Sequence, residues 1–478
     1  MKWGYLAGFA GLSKAVLGAF VNDPVEETPT VASHKHTFQY RNQTVEATLN
    51  IQSPSGLCDP SVKQHSGYFT FGKDKKQYFF WMFESRSDPA NDPMVMWLTG
   101  GPGCSSMTGL LFENGPCKVN TDGKSTTLNP YSWTTKANVM WVDQPPGTGF
   151  SKGASDFGED GVAEDMYPEF LQVFFKAKPE YNKRFFVTGE SYAGHYIPAV
   201  THRIFEGNSK LQEGDVKIDL RGMGIGNGLT DPQEQYKWYQ EYMCTGAGHA
   251  TPPINSSAEC TALKAATVAC EATLKACNSG VPVAAKAGCG AAMEVCGLGF
   301  QGPYMATGLN PYDVRIKCDK PPLCYDMSND VSYLNDKDVQ RQLGVDMPFQ
   351  SCNFVVNKAF SLDFMKNYHM LIPPMLAAGI DVLIYAGDQD FVCNWLGNEK
   401  WVQALDWDHS KEFNAAAKTP YKVSGKEVGE LQSFANLHFL RVAQAGHMVP
   451  LDQPEAALGM VNDLLAGAFL KSELEVVV

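Results

Sequence analysis

Short apolar runs that stop at glycine-, proline- or aspartate-rich loops recur along this chain. MVMWL (94–98) leads into TGGPGCSS, NVMWV (138–142) into DQPPGTGFS, and RFFV (184–187) into TGESYAG. GMGIGNG (222–228) behaves similarly, DVLIYAG (381–387) precedes DQDFVCN, and LHFLRV (437–442) precedes AQAGHMVP. Such uniform apolarity predicts strands covered on both faces. Before them, GYFTF and QYFFWMFES predict two more strands, followed by the turn-rich SDPANDP (87–93). Helical patterns fill the intervals at 159–177, 191–205, 395–405 and 454–470. Buried strands followed by loops and helices predict a largely parallel α/β sheet whose active loops sit at the strand C-termini.

Three stretches depart from this rhythm. Residues 1–20 (MKWGYLAGFAGLSKAVLGAF) have a basic start, an apolar stretch and Ala19 near the end, the form of a signal peptide interrupted by Lys14. Residues 21–56 are polar, with Pro24, Pro29 and Pro54, and read as a pro-segment or an exposed N-terminal arm rather than core. In 232–370, the cysteines from Cys244 to Cys324 crowd into Ala/Gly-rich, weakly periodic sequence, which reads as an inserted, stapled cap. The core would then comprise 57–231 and 371–478; by length alone, roughly three domains or a single large α/β unit with an insertion fit equally well.

Composition narrows the classes. With only 19% charged residues and 12% aromatic ones, the chain has the material for a large core and is not a disordered protein. A net charge of −13 argues against nucleic acid as a partner. No apolar run after residue 20 reaches the roughly 20 residues that span a bilayer, so no membrane span is expected. Thirteen cysteines without a C-x-x-C pair point to an oxidising compartment rather than to zinc. Sequons at Asn42 and Asn255 agree with glycosylation in the secretory pathway. The histidines lack metal-ligand spacing and the glycines lack a phosphate-loop pattern, so neither a metal nor an organic cofactor is expected.

Gly189-Glu190-Ser191-Tyr192-Ala193-Gly194 lies between a predicted strand and a predicted helix, the place of a nucleophile elbow. A sharp turn there lifts Ser191 Oγ off the sheet and demands small neighbours. The strict G-x-S-x-G form is missed by one position, because Ala193 stands where the second glycine belongs. An acid and a histidine follow, each after a predicted strand, in the Ser…Asp…His order of α/β-hydrolases. Asp388 and Asp390 are both candidates to orient the imidazole. His447 would take the Ser191 proton and return it to the leaving group. His195, four residues past Ser191 on the departing helix, is expected to serve the core or a cap.

WLTGGPGCSS, VDQPPGTGFS, GESYAGHYIPA, GNGLTDP, YAGDQDFVCNW and GHMVPLDQPEAAL resemble blocks of the serine carboxypeptidases, of the carboxypeptidase Y type. They occur in the family's order, from about Leu57 to Leu470. The resemblance implies an α/β-hydrolase fold: a mixed, mostly parallel sheet flanked by helices, with a disulfide-stapled inserted cap. It implies the triad Ser191, Asp390 and His447, with an oxyanion hole formed by the N–H groups of Gly101 and Tyr192. Glu190 and Glu113, with Thr99 and Gly100, would bind the substrate's terminal carboxylate. Two adjacent carboxyls cannot both ionise cheaply, so one would stay protonated and donate to that carboxylate at acid pH. Thr108, Phe112, Val392, Cys393 and Met448 are expected to line the substrate pocket and favour hydrophobic side chains. The implied partner is the C-terminus of a peptide or protein. A monomer is expected, in the secretory pathway and then in a vacuole- or lysosome-like compartment or outside the cell.

Thr99 departs from the family, which places asparagine there. A threonine hydroxyl donates one hydrogen bond but lacks the reach of an amide. Plant acyltransferases on the same fold carry T-G-G-P-G too, so acyltransferase or esterase is the alternative activity; Glu190 and the HMVP loop favour the peptidase. A binding protein on a dead hydrolase fold would need a lost triad member, and none is lost. The family pattern also implies disulfides Cys104–Cys352, Cys244–Cys260, Cys270–Cys296, Cys277–Cys289 and Cys318–Cys324. Cys58 and Cys117 lie outside that pattern and form a sixth expected pair, which leaves the Cys393 thiol.

Overall fold

The computed structural model describes residues 32–40, 43–72 and 74–471, so the signal-like stretch and Asn42 lie outside the described residues. In chain order the strands begin with β1 (Ala32–Tyr40), β2 (Gln43–Gln52), β3 (Gln64–Phe71), β4 (Lys76–Phe83) and β5 (Met94–Thr99). β6 (Cys117–Val119) and β7 (Thr126–Leu128) form a small separate hairpin. β8 (Asn138–Asp143), β9 (Phe185–Glu190) and β10 (Leu220–Gly226) return to the main layer. β11 (Leu309–Asn310) and β12 (Asp313–Lys317) pair within the insertion. β13 (Asp381–Gly387), β14 (Thr419–Val423), β15 (Lys426–Phe434) and β16 (Leu437–Val442) follow.

Among the described residues, twelve of these strands form one sheet in the order β1-β2-β3-β4-β8-β5-β9-β10-β13-β16-β15-β14. The run from β8 to β16 in that order is parallel throughout. Antiparallel hairpins extend both ends. This is the mixed, mostly parallel sheet of an α/β-hydrolase. Its central strands read as continuous apolar runs because each buries both faces. In β5, Met94, Met96 and Leu98 join one core, while Val95 and Trp97 join the other. Helices Glu159–Glu164 and Ala193–Ser209 cover the first face and helix Pro454–Ala466 the second.

The helix expected over 159–177 is interrupted. A wide π turn, Asp165–Leu171, joins helix Glu159–Glu164 to helix Gln172–Ala177 and contains Pro168. Proline has no N–H to give the ladder, and a wider turn accommodates the gap. The helix expected over 454–470 stops at Ala466 because Gly467 takes a φ of +62°, a left-handed cap that glycine enters without strain, and a short helix, Ala468–Lys471, follows.

The segment 43–52, expected to lie outside the core, is instead strand β2, and Ala47, Leu49 and Ile51 are buried in it. Polar residues alternate with these apolar ones, so the mean composition hides a period of two. β14 and β15 form another hairpin the apolar pattern did not reveal; Ser424 and Gly425 both have positive φ at its two-residue turn.

The insertion is built on two helices, Ser257–Cys277 and Pro282–Cys296. Ser256 opens the first by accepting the Glu259 N–H, and the exposed Asn255 sits just before it. Cys270–Cys296 and Cys277–Cys289 bolt the two helices together, and Cys244–Cys260 ties the first to the preceding segment. Cys58–Cys117, Cys104–Cys352 and Cys318–Cys324 complete the six expected pairs, with Cys393 free and buried. Contrary to expectation, one helical run, Pro282–Ala306, is long and apolar enough to cross a membrane. Its alanines, valines, cysteines and Leu298 give it that character, and its two disulfides hold it against its partner helix.

Candidate active site

β9 ends at Glu190 and the next helix starts at Ala193, so Ser191 sits in the turn between them. Its φ is +68°, a left-handed conformation that a side chain makes costly. Three backbone hydrogen bonds hold it there. The Ser191 N–H donates to Gly226 O (3.0 Å), and Ser191 O accepts from Gly194 (2.9 Å) and Leu229 (3.0 Å). A Cβ at Gly189 would lie 2.1 Å from Leu98 O, and one at Gly194 would lie 2.5 Å from Leu229 O. The crowding that excludes a side chain therefore falls on Gly194, which explains why Ala193 is tolerated before it.

Asp390 follows β13 and His447 follows β16. His447 Nδ1 lies 2.8 Å from Asp390 Oδ2. Asp390 is fully buried and accepts further hydrogen bonds from Asn227 Nδ2 (2.9 Å), Val392 N (3.0 Å) and Cys393 N (3.1 Å). Asp388 is engaged elsewhere, accepting from Gln444 N and Gln389 Nε2 beside Arg441. The carboxylate at the histidine is thus Asp390. On the cap side, Tyr312 O accepts the His447 N–H at 2.7 Å. His195 is buried, its ring stacked on Tyr192 at 4.4 Å and its Nδ1 bonded to Leu229 O, so it occupies the expected core position.

The loop after β5 passes directly over the elbow. A Cβ at Gly100 would lie 2.3 Å from Tyr192 N, and Gly101 has a φ of +109°. Thr99 pairs with Glu190 across the parallel strands. Its Oγ1 accepts the Trp97 indole N–H at 3.0 Å, which leaves the hydroxyl proton to point elsewhere.

Glu113 and Glu190 are buried together. Burial, followed by the charge and hydrogen bonding of Glu113, pushes Glu190 well above the usual carboxylate range. Burial raises Glu113 too, against the lowering effect of its hydrogen bond with Glu190. Apart from each other, both Glu113 oxygens and Glu190 Oε2 have no hydrogen-bond partner among the described residues. Glu190 Oε1 is 4.0 Å from His447 Nε2.

Four strand-end loops, after β5, β9, β13 and β16, thus converge. The serine carboxypeptidase profile matches residues 54–467. The chain belongs to the serine carboxypeptidase family. Carboxypeptidase Y of Komagataella phaffii is 43% identical over 423 residues, covering 87% of this chain and 78% of its own. Carboxypeptidase Y homolog A of Leptosphaeria maculans is 42% identical over 424 residues, covering 87% and 76%. Among solved structures, Kex1(delta)p, a prohormone-processing carboxypeptidase from Saccharomyces cerevisiae, has a TM-score of 0.75 at 27% identity, covering 87% of this chain and 94% of that one. The protein is accordingly a serine-type hydrolase of the carboxypeptidase class.

In this carboxypeptidase, Ser191, His447 and Glu190 open onto one cavity of about 130 Å³, with Thr99, Gly101, Thr108 and Met448 in its wall. Phe112 stands behind Tyr325, ring centroids 6.0 Å apart, and is not in the wall. Nor are Val392 and Cys393, which lie behind the Asp390 carboxylate and donate their N–H groups to it. The Cys393 thiol, pushed up by burial, comes within 4.8 Å of both Asp390 and His447. These three are the one group of metal-type ligands among the described residues, but the Asp390 oxygens are already occupied by four N–H donors.

The outer wall comes from the cap: Tyr312, Leu323, Tyr325, Met327, Asn353, Phe354 and Asn357. Sequence reasoning missed these residues. Most sit in loops, and Phe354 and Asn357 lie on a helix of only six residues, Phe354–Ala359, too short to show periodicity; no local motif marks them.

Proposed function

We propose that this carboxypeptidase removes C-terminal residues from peptides and proteins through an acyl-enzyme on Ser191, best at acid pH and with hydrophobic residues at the cleaved bond. The buried Glu113–Glu190 pair beside the triad carries this reading. Ser191 Oγ attacks the scissile carbonyl as His447 Nε2 takes its proton and Asp390 stabilises the imidazolium. The N–H groups of Gly101 and Tyr192 receive the oxyanion. When the C–N bond breaks, His447 returns the proton to the departing amine. Water then repeats the sequence on the acyl-enzyme. Across the bond, the protonated member of the glutamate pair donates to the terminal carboxylate, with Thr99 and Gly100 beside it. Apolar wall residues such as Met448 favour hydrophobic side chains, worth roughly 1–3 kcal/mol each when buried.

Six disulfides support passage through the secretory pathway, and glycosylation of the exposed Asn255 fits the same route. A vacuole- or lysosome-like compartment, or the extracellular space, would supply the acid pH. The enzyme acts as a monomer on peptide C-termini and uses no cofactor.

Thr99 supports a second reading, an acyltransferase or esterase, because one hydroxyl there replaces an amide. Comparing a blocked dipeptide with an acyl-glucose plus acceptor at acid pH separates the two. Peptide turnover with little acyl transfer supports the peptidase; the reverse result replaces it. Thr99→Asn is expected to lower KM for the dipeptide about three- to tenfold, the worth of one added hydrogen bond. An unchanged KM would show that position 99 does not touch the carboxylate.

A further inference from the structure

Both N–H groups assigned to the oxyanion hole are fastened to a single stretch of the cap, 352–363. On one side, Cys352 is bonded to Cys104 and the Asn353 N–H donates to Gly103 O (2.8 Å). Asn357 Nδ2 donates to the carbonyls of Gly101 (3.1 Å) and Pro102 (3.3 Å). On the other side, Asp363 Oδ2 accepts the Tyr192 hydroxyl at 2.7 Å. Asp363 is fully buried, and its Oδ1 is taken by Tyr368 Oη (2.8 Å) and Lys366 Nζ (2.9 Å). Phe364 stacks on the Tyr192 ring at 5.3 Å.

We propose that Asn357 and Asp363 are positioning residues that set the separation of the two oxyanion donors from the cap. This rests on the assignment of the hole to Gly101 and Tyr192. A tetrahedral oxyanion gains full stabilisation only when both donors stand at hydrogen-bond distance from one point. Gly101 lies in an irregular loop, and Tyr192 follows a left-handed serine ahead of its helix, so neither donor is fixed by a strand or helix ladder. Asn357 holds the two peptides that follow the first donor by their carbonyls, Gly101 O and Pro102 O, and Asp363 holds the second donor's residue through the length of a tyrosine. Asp363 has no exposure to the cavity, so its effect reaches the reaction through Tyr192.

Tyr192→Phe and Asp363→Ala are each expected to lower kcat for a blocked dipeptide about 10- to 100-fold, with KM within about twofold. The double variant should be no slower than the slower single one, because both remove the same bond. Asp363→Asn, which keeps an acceptor oxygen, should recover most of the loss. Tyr192→Phe removes one hydroxyl from an intact core, so it keeps the test open if Asp363→Ala does not fold. An unchanged kcat in Tyr192→Phe overturns the proposal, as do additive losses or a parallel rise in KM, the marks of general softening. A crystal structure of the Ser191 phosphonate adduct separates the two layers. A phosphoryl oxygen away from Gly101 N and Tyr192 N defeats the hole and the proposal together. An oxygen seated between them, with kcat unchanged in Tyr192→Phe, defeats the positioning role alone.

Discussion

Asp390→Asn is expected to lower kcat by a factor on the order of 10⁴ while leaving KM near its starting value. The carboxylate has no exposure to solvent and accepts four N–H donors, one of them His447 Nδ1. An asparagine must turn its own NH₂ toward some of those donors. If it faces His447, the imidazole is left in the wrong tautomer, with its proton at Nε2 where the base must accept one. Binding is spared because the acid lies behind the histidine and away from the cavity wall. Asp388→Asn serves as the control, since that carboxylate is bonded to Gln444, Gln389 and Arg441. Steady-state kinetics on a blocked dipeptide read both. A large loss in Asp388→Asn with a small one in Asp390→Asn would exchange the roles assigned here.

The second large effect is on substrate affinity. KM for a peptide with a free C-terminus should rise at least tenfold between pH 5 and pH 8, while KM for the matching peptide amide changes little. Glu113 and Glu190 share a site in which burial raises both above the ordinary glutamate value of 4.5. In the proposed role, below the raised values the pair would hold a proton and donate it in a hydrogen bond to the substrate carboxylate. Above them the pair gains negative charge and repels it. An ionised Glu190 would also compete for His447 Nε2, 4.0 Å away. Glu190→Gln keeps a donor without the titration and should flatten the profile. A pH-independent KM for the free peptide contradicts the role given to this pair.

The same protons bear on stability. The folded state holds protons that the unfolded chain releases, so these carboxyls favour the fold most at acid pH. That contribution is lost as pH rises through the raised values. Burial, the largest cause in each case, also raises Asp143 to about 6, Glu169 to about 7 and Asp165 to about 8. The melting temperature should therefore fall between pH 5 and pH 8.

The parallel strands were legible because each had to be apolar on both faces, and their C-terminal loops carried Ser191, Asp390 and His447 in order. Choosing Asp390 over Asp388 required the family resemblance, since both follow the same strand and differ only in which loop atoms they meet. β2 was hidden by its polar alternate residues. The cap wall was hidden for another reason: Tyr312 and Tyr325 reach the cavity from loops, and Asn357 from the six-residue helix Phe354–Ala359, too short to leave a periodic trace. The placement of Cys393 shows the limit of adjacency in sequence. Three residues past the triad acid, it faces the back of the Asp390–His447 pair rather than the cavity. Thr99 stood out in the sequence by its departure from the family, but its bond from Trp97 Nε1 emerged only with the strands in register.

Ser191 is proposed to drive stepwise cleavage from a peptide's C-terminus, which mass spectrometry of an unblocked decapeptide incubated at pH 5 reads out. The expected result is a ladder of products shortened one residue at a time from the C-terminus, absent with Ser191→Ala. Internal fragments, an intact peptide, or a ladder that persists in Ser191→Ala would contradict the account.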